Sequence, residues 1–347
     1  MTHRFHGVAG SIALIAGLCV LGSAARVAAQ GQTAAKPYSP PRTPDGKPDL
    51  QGVWEHNAVT PLERPKALAN KPVLSEQELA NLKRNAARVL DAGDAQFGDD
   101  LFEAALAEQK GSKSYDPATG NYDQSWMVQR SWDNRTSLIV DPPDGRVPPF
   151  TPEALKRQKA ERGSRVIATA DSWEDRSLSE RCITYGVNKL IRAGYNSYVQ
   201  IFQTPGYAVV QMEMIHDARV IPLDGRPHVS KAIRGHLGDS RGHWEGDTLV
   251  VDTTNFSPKS EFRGSADGLH IVERFSRVGP NTLKYEVTYE DPTTWTRPWT
   301  VVVNMMSTKD KMYEYACHEG NDGLVGILSG ARAQEANAAA GAAKTTP

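Results

Sequence analysis

From about Tyr195 onward, apolar and polar residues alternate with a period of two, the pattern of strands that bury one face. YNSYVQIFQTPGYAVVQMEMIHD predicts two strands joined at Thr204-Pro205-Gly206, with Ala208, Val210, Met212, Met214 and His216 on one face. DTLVVDTTNF, LHIVERFSRV, NTLKYEVTYED, RPWTVVVNMM and KMYEYACHE predict five more, joined by short turns such as Gly279-Pro280-Asn281. In NTLKYEVTYED, Leu283, Tyr285, Val287 and Tyr289 alternate with Lys284, Glu286, Thr288 and Glu290, which puts core on one side and water on the other. LHIVERFSRV is mixed, because Ile271, Glu273 and Phe275 oppose His270, Val272 and Arg274. KMYEYACHE is mixed too, with Glu314 and His318 projecting opposite Cys317.

Between about residues 60 and 165 the period is helical. Ser75 and Glu78 form a capping box, and Leu79, Leu82, Ala86 and Leu90 recur on one face until Gly93. Leu101 to Lys110 predicts a second helix, and Thr151-Pro152 opens a third that Gly163 ends. RTSLIVDPPDGRVPPF reads as a strand and a tight turn, and Ser177 with Glu180 frames one helical turn before Cys182. Gln30 to Pro48 is a Pro-rich extended leader, and folded structure is expected from Asp49. Gly323 to Ala331 predicts a terminal helix, and the Ala-rich end from Glu335 to Pro347 is expected to be disordered.

Seven consecutive strands with tight connections predict a meander that curls to hide its edges. Gly52 and Trp54 in DLQGVW resemble the first-strand signature of lipocalin-type barrels. The expected fold is mainly β: an antiparallel calycin-like or lipocalin-like barrel, or a strongly curled sheet. A single domain over residues 49–334 carries the helical segment packed on an opening or face.

Within that frame GDSRGHWEGDTLVVDTTNF crowds charge beside a strand. Its glycines predict a turn from Gly238 to Gly246, with Asp239 beside Arg241 and Glu245 beside Asp247, whose carboxylates would accept from free turn N–H groups. The alternative places Asp239, Arg241, His243 and Glu245 on the rim of a ligand mouth.

Composition sets the compartment and the partners. Arg4, an apolar run from Val8 to Leu21 and a small-x-small site at Val27-Ala28-Ala29 predict a secretory signal peptide over residues 1–29. Leu18 before Cys19 argues against a lipoprotein anchor, and no later segment is apolar for long enough to span a bilayer. The expected location is therefore periplasmic or secreted. Forty basic residues against 41 acidic ones offer no basic field for nucleic acid or anionic lipid. Cys182 and Cys317, the cysteines left after signal removal, predict a disulfide in that oxidising setting.

No Walker loop, dinucleotide fingerprint, Cys-x-x-Cys or His-Glu-x-x-His motif occurs, so no cofactor is expected. His216, His228, His236, His243, His270 and His318 lie on or near the strands, and two or three of them with Asp217, Glu314 or Glu319 would suit zinc or iron. Their spacing demands no such site. For acid–base chemistry the candidates are His216 and His318, oriented by Asp217, Glu314 or Glu319, with Arg219, Arg274 or Arg297 stabilising negative charge. In DPTTWTRPW, Trp295, Arg297 and Trp299 would share a face and either stack on a ligand or form an external cation–π ladder.

TPDGKPDLQGVW, GDSRGHWEGDTLVVDTTNF, EDPTTWTRPW and YEYACHEGN together resemble a family of uncharacterised exported bacterial proteins. The resemblance spans most of the mature chain. It implies one continuous exported unit and carries over no activity or site residue.

The functional expectation is a hydrolase or lyase acting by acid–base chemistry, without a redox cofactor, on a small polar or aromatic molecule such as a carbohydrate derivative. The alternatives are a binding protein that holds an apolar or aromatic ligand in a lumen lined by Tyr285, Tyr289, Phe275 and Met214, and an envelope protein acting through its surface.

Overall fold

The computed structural model describes residues 38–91, 98–108, 129–164, 170–191 and 194–345; the expected signal peptide and most of the leader lie outside them. The longest strands are β8 (His270–Gly279), β9 (Thr282–Glu290) and β10 (Trp299–Thr308). Their alternation sets the register. Ile271 faces Tyr289 and Phe275 faces Tyr285 between β8 and β9, while Trp299, Val301, Val303 and Met305 face Tyr289, Val287, Tyr285 and Leu283 between β9 and β10. All of these side chains are buried. At about 1.5–3 kcal/mol for each large apolar side chain removed from water, this layer dominates the stability of the sheet.

Around it lie β1 (Gly52–Glu55), β3 (Tyr198–Thr204), β4 (Tyr207–Met212), β5 (Ala218–Pro222), β6 (Asp239–Glu245) and β7 (Thr248–Thr254). The antiparallel order is β5-β4-β3-β1-β10-β9-β8-β7-β6, and β2 (Ile139–Asp141) pairs separately with β10. The sheet is not closed into a barrel. Its edge strands β5 and β6 share no ladder, yet they lie close to each other. A Cβ on Gly242 in β6 would lie 2.6 Å from Leu223 and 2.9 Å from Ile221, so this glycine is what lets the edges approach.

The strands differ from the expected pattern in four places. Gly238 to Gly246 is not a turn, because Asp239–Glu245 forms β6, with Ser240 and Gly242 buried between more exposed neighbours. Met312 to His318 is irregular rather than a strand, and Ala218–Pro222, not anticipated as a separate strand, forms the edge. The meander is also interrupted, since β1 inserts between β3 and β10.

The helices appear where their caps predict them. In α1 (Glu76–Asp91) the Glu78 N–H donates to Ser75 Oγ at 3.3 Å, and the Ser75 N–H donates to Glu78 Oε2 at 2.9 Å. Leu82, Ala86 and Val89 pack with Leu101, Phe102 and Ala105 of α2 (Gly98–Leu106) in an apolar cluster of their own with Val59 and Leu74. The expectation that this helical segment covers the sheet is not confirmed for α1 and α2, which bury their faces against each other. Thr151 Oγ1 accepts from the Ala154 N–H at 3.1 Å to start α3 (Pro152–Ser164). The terminal helix, α4 (Asp322–Thr345), runs through the Ala-rich tail expected to be disordered, because alanine has the highest helix propensity even where nothing is buried. No helix among the described residues is long and apolar enough to cross a membrane.

Candidate functional site

The residues singled out for acid–base chemistry do not form one constellation. His216 Nε2 accepts a 2.9 Å hydrogen bond from the Tyr315 N–H and lies 4.0 Å from Glu314 Oε1 on an exposed surface. His318 and Glu319 are also exposed, and among the described residues no hydrogen bond or ion pair joins His318 to His216. The three arginines are engaged elsewhere. Arg274 donates to Glu245 and Arg297 to Asp141, both near the surface.

Arg219 is instead buried in the core. Its two terminal nitrogens donate to Glu273 at 2.6 and 2.7 Å, and the Tyr285 hydroxyl donates to the same carboxylate at 2.9 Å. The pair is almost wholly enclosed, which explains the mixed face of LHIVERFSRV: Glu273 points inward because Arg219 meets it there. Burial opposes the charge on Arg219, but Glu273 more than offsets it and raises the guanidinium pKa. Trp295 and Trp299 are buried as well, with ring centroids 5.5 Å apart, and Tyr289 stacks on Trp299 at 4.5 Å. Arg297 between them points outward, so the expected Trp-Arg-Trp face does not exist. Phe275, Tyr285, Tyr289 and Met214 are buried too, and none of them lines either of the two clefts described below.

Gly238-Asp239-Ser240-Arg241-Gly242 has the Gly-x-Ser-x-Gly spacing of a nucleophile elbow. It runs along β6, with no helix following. Ser240 Oγ lies 2.9 Å from Thr253 Oγ1 in a buried pair, so it is not presented as a nucleophile.

Where side chains do converge is a cleft of about 620 Å³ between residues 174–188 and a second wall formed by His236, Phe256, Pro258 to Glu261 and Leu269. Local caps shape the first wall. Ser172 caps the turn at Trp173–Asp175, and Ser177 and Glu180 exchange hydrogen bonds of 2.9 and 3.2 Å. Arg176 donates to Glu180 at 2.6 Å, and Arg181 lies over the Trp173 ring at 4.5 Å. Burial opposes the charge on Glu180, but Arg176 and Ser177 outweigh it and hold the carboxyl below its usual value.

Behind this wall Asp217 accepts from the Thr184 hydroxyl at 2.7 Å and from the Tyr185 N–H at 2.9 Å. Burial raises its pKa against those bonds. Asp217 thus braces the wall rather than orienting His216. The predicted disulfide Cys182–Cys317 is present, with Cα atoms 5.6 Å apart, and Asn321 Nδ2 donates to the Glu180 carbonyl at 3.0 Å beside it. The second wall is fixed by the Gly235 N–H donating to Asn255 O at 3.0 Å and the Ser257 N–H donating to Gly235 O at 2.8 Å.

Four buried polar atoms belonging to residues that line this cleft have no hydrogen-bond partner among the described residues: Arg176 Nε, Asn188 Oδ1, His236 Nδ1 and Ser260 Oγ. They come from both walls. A second groove, near 570 Å³, is lined by residues 61–67 with Arg146 and Arg263, but its buried arginine, Arg64, is already bonded to Thr136 and to the Pro143 carbonyl. Apart from His236, whose histidine type had flagged it, none of the four was legible as a site residue. Ser177 and Glu180 signalled only a cap.

The polar residues of GDSRGHWEGDTLVVDTTNF form a separate array on the outer face. His228 bridges Asp239 Oδ2 and Asp252 Oδ1, each at 2.9 Å, and His270 bridges Asp252 Oδ2 at 2.8 Å and Glu290 Oε2 at 3.3 Å. Arg241 closes one end on Asp239 at 2.7 Å, while His243 sits apart, 3.2 Å from Glu245. Hydrogen bonding to His270 holds Asp252 below the usual carboxylate range, and Asp252 in turn raises His270. Among the described residues no group of three or more His, Cys, Asp or Glu side chains is arranged to hold a metal ion. Comparison with protein-family models, curated proteins and solved structures finds no match to this chain, so the cleft and the histidine array stand on their own chemistry.

Proposed function

We propose that this is an exported protein that takes a small, uncharged, hydroxyl-rich molecule, such as a sugar or a glycoside, into the cleft between residues 174–188 and the His236–Ser260 wall. One observation carries the reading: four unpaired buried polar atoms belong to residues lining the same space. Each such atom costs about 1–3 kcal/mol while it stays unpaired, and all four are enclosed, so a ligand pairs with them by displacing the side chains around them. Arg176 Nε–H needs an acceptor, Asn188 Oδ1 needs a donor, and Ser260 and His236 serve as either. Hydroxyl groups supply both roles over short distances. Acidic side chains (Glu174, Asp175, Glu180, Glu261) and basic ones (Arg176, Arg181, Lys259) nearly balance along the lining, which favours a neutral ligand over an ion.

Calorimetric titration of the mature protein with a panel of mono- and disaccharides tests this. Saturable binding is expected, with Ser260→Ala and His236→Ala each weakening it about three- to tenfold. Binding that both variants leave untouched, or a panel with no binder, would refute the reading.

Acid–base turnover, of hydrolase or lyase type, is a second reading that one observation favours: His236 shares the cleft with Glu180 and Glu261. An imidazole that shares a cleft with carboxylates has the group types needed to move a proton. On that reading a bound glycoside is consumed, and His236→Gln binds it without consuming it.

A further inference from the structure

The loop between β5 and β6, residues 223–238, connects the outer-face histidine array to the cleft. At its start His228 lies between Asp239 and Asp252, the Val229 N–H donates to Asp239 Oδ2 at 3.0 Å, and Arg241 Nε donates to the Pro227 carbonyl at 3.0 Å. Asn255 Nδ2 donates to the Val229 carbonyl at 3.0 Å. At its end Gly235 and His236 form part of the second wall. Asp239 and Arg241 on β6, Asp252 on β7 and Asn255 just after it therefore hold a segment whose other end faces the ligand space.

We propose that the alternating ladder Asp239–His228–Asp252–His270–Glu290 is a pH-sensitive latch that fixes the β5–β6 loop and so positions His236 in the cleft. Geometry carries the inference. Each imidazole has both ring nitrogens against carboxylate oxygens, and a ring that donates from both carries two N–H groups and a positive charge. In that state Arg241, His228 and His270 balance Asp239, Asp252 and Glu290, the charged groups that face the two rings from β6, β7, β8 and β9. Loss of a proton leaves one nitrogen of that ring facing a carboxylate with no N–H, and the array gains net negative charge. Neighbouring carboxylates then repel, and the loop loses its anchor.

The sign of the effect is set by His270, whose pKa in the folded protein is raised above its ordinary value, chiefly by Asp252. Its contribution is complete below the unfolded value of about 6.5 and disappears as pH rises through the higher folded value. The latch is closed in mild acid and opens in mild base. Its consequence for ligand binding rests on the cleft reading above, whereas the latch itself does not.

Hydrogen exchange of the mature protein, expressed as protection factors, tests the latch without a ligand. The Val229 and Gly235 amides are expected to lose about tenfold or more of their protection as pH rises from about 6 to about 9. In His270→Gln and Asp252→Asn that dependence is expected to flatten at low protection, while the β9 and β10 amides remain protected. A flat wild-type profile, or a full pH dependence retained in His270→Gln, would overturn the proposal. If the variants fail to fold, the wild-type imidazole titration followed by NMR decides: a His270 ring that titrates without any change in the Val229 and Gly235 amides also overturns it. Saccharide titration over the same pH range separates the two ideas. Protection that follows His270 with no saccharide binding leaves the latch standing and removes the cleft reading; constant saccharide affinity with flat protection does the reverse.

Discussion

Glu273→Ala lowers the unfolding free energy by about 3–5 kcal/mol, more than any single surface substitution in this protein, because it strands Arg219 in the core. The guanidinium is held by two hydrogen bonds to one carboxylate, and its Nε already lacks a partner. Removing the carboxylate leaves an enclosed positive charge with the Tyr285 hydroxyl beside it, which has lost its acceptor as well. The double variant Arg219→Met/Glu273→Leu is expected to recover most of the loss, since apolar side chains of similar volume replace a buried pair at little net cost. Urea unfolding of the wild type, the single and the double variants measures this. A single variant within about 1 kcal/mol of wild type would mean that water reaches Arg219 and that the interior is wetter than the packing indicates.

Reduction of the disulfide is expected to have the second largest effect. Cys182 and Cys317 close a loop with a sequence separation of 135, which brackets every strand from β3 to β10. The chain-entropy account puts the cross-link at no more than about 4–5 kcal/mol for a loop of this length, and measured losses run about 2–5 kcal/mol. Its position matters as much as its size. Cys182 sits in the segment that carries Arg176 and Asn188, and without the bond that segment is tied to the C-terminal one by Asn321 on the Glu180 carbonyl and, just upstream, by Arg332 on the Ala170 and Asp171 carbonyls. Cys182→Ser/Cys317→Ser is therefore expected to lower the thermal midpoint and to weaken saccharide binding together. A lowered midpoint with unchanged affinity would show that Asn321 and Asp217 suffice to hold the wall.

The parts of the molecule that depend on neighbouring residues in the chain were legible without coordinates. Period-two alternation located β7 to β10 and the buried face of β9, because a strand exposes alternate residues whatever it packs against. The Ser75/Glu78 box and the Thr151-Pro152 start located α1 and α3, because caps are satisfied within one turn. The tail was misread for a related reason: composition showed that Glu335 to Pro347 has nothing to bury, but not that alanine continues a helix already begun.

The cysteine pair, the strand period and the helix caps are therefore determined by the sequence alone, since each rests on covalent chemistry or on contacts a few residues apart. Only the tertiary structure decided that the sheet stays unclosed while its edges approach at Gly242, that Glu273 turns inward to meet Arg219, and that Trp295 and Trp299 are core. It likewise decided that Arg176, Asn188, His236 and Ser260 line one cleft and that His228 and His270 share Asp252. Those outcomes depend on which strands become neighbours. A histidine or an arginine at a given position carries the same local signal whether the fold returns it to a carboxylate in the core, to a ladder on the outer face or to water.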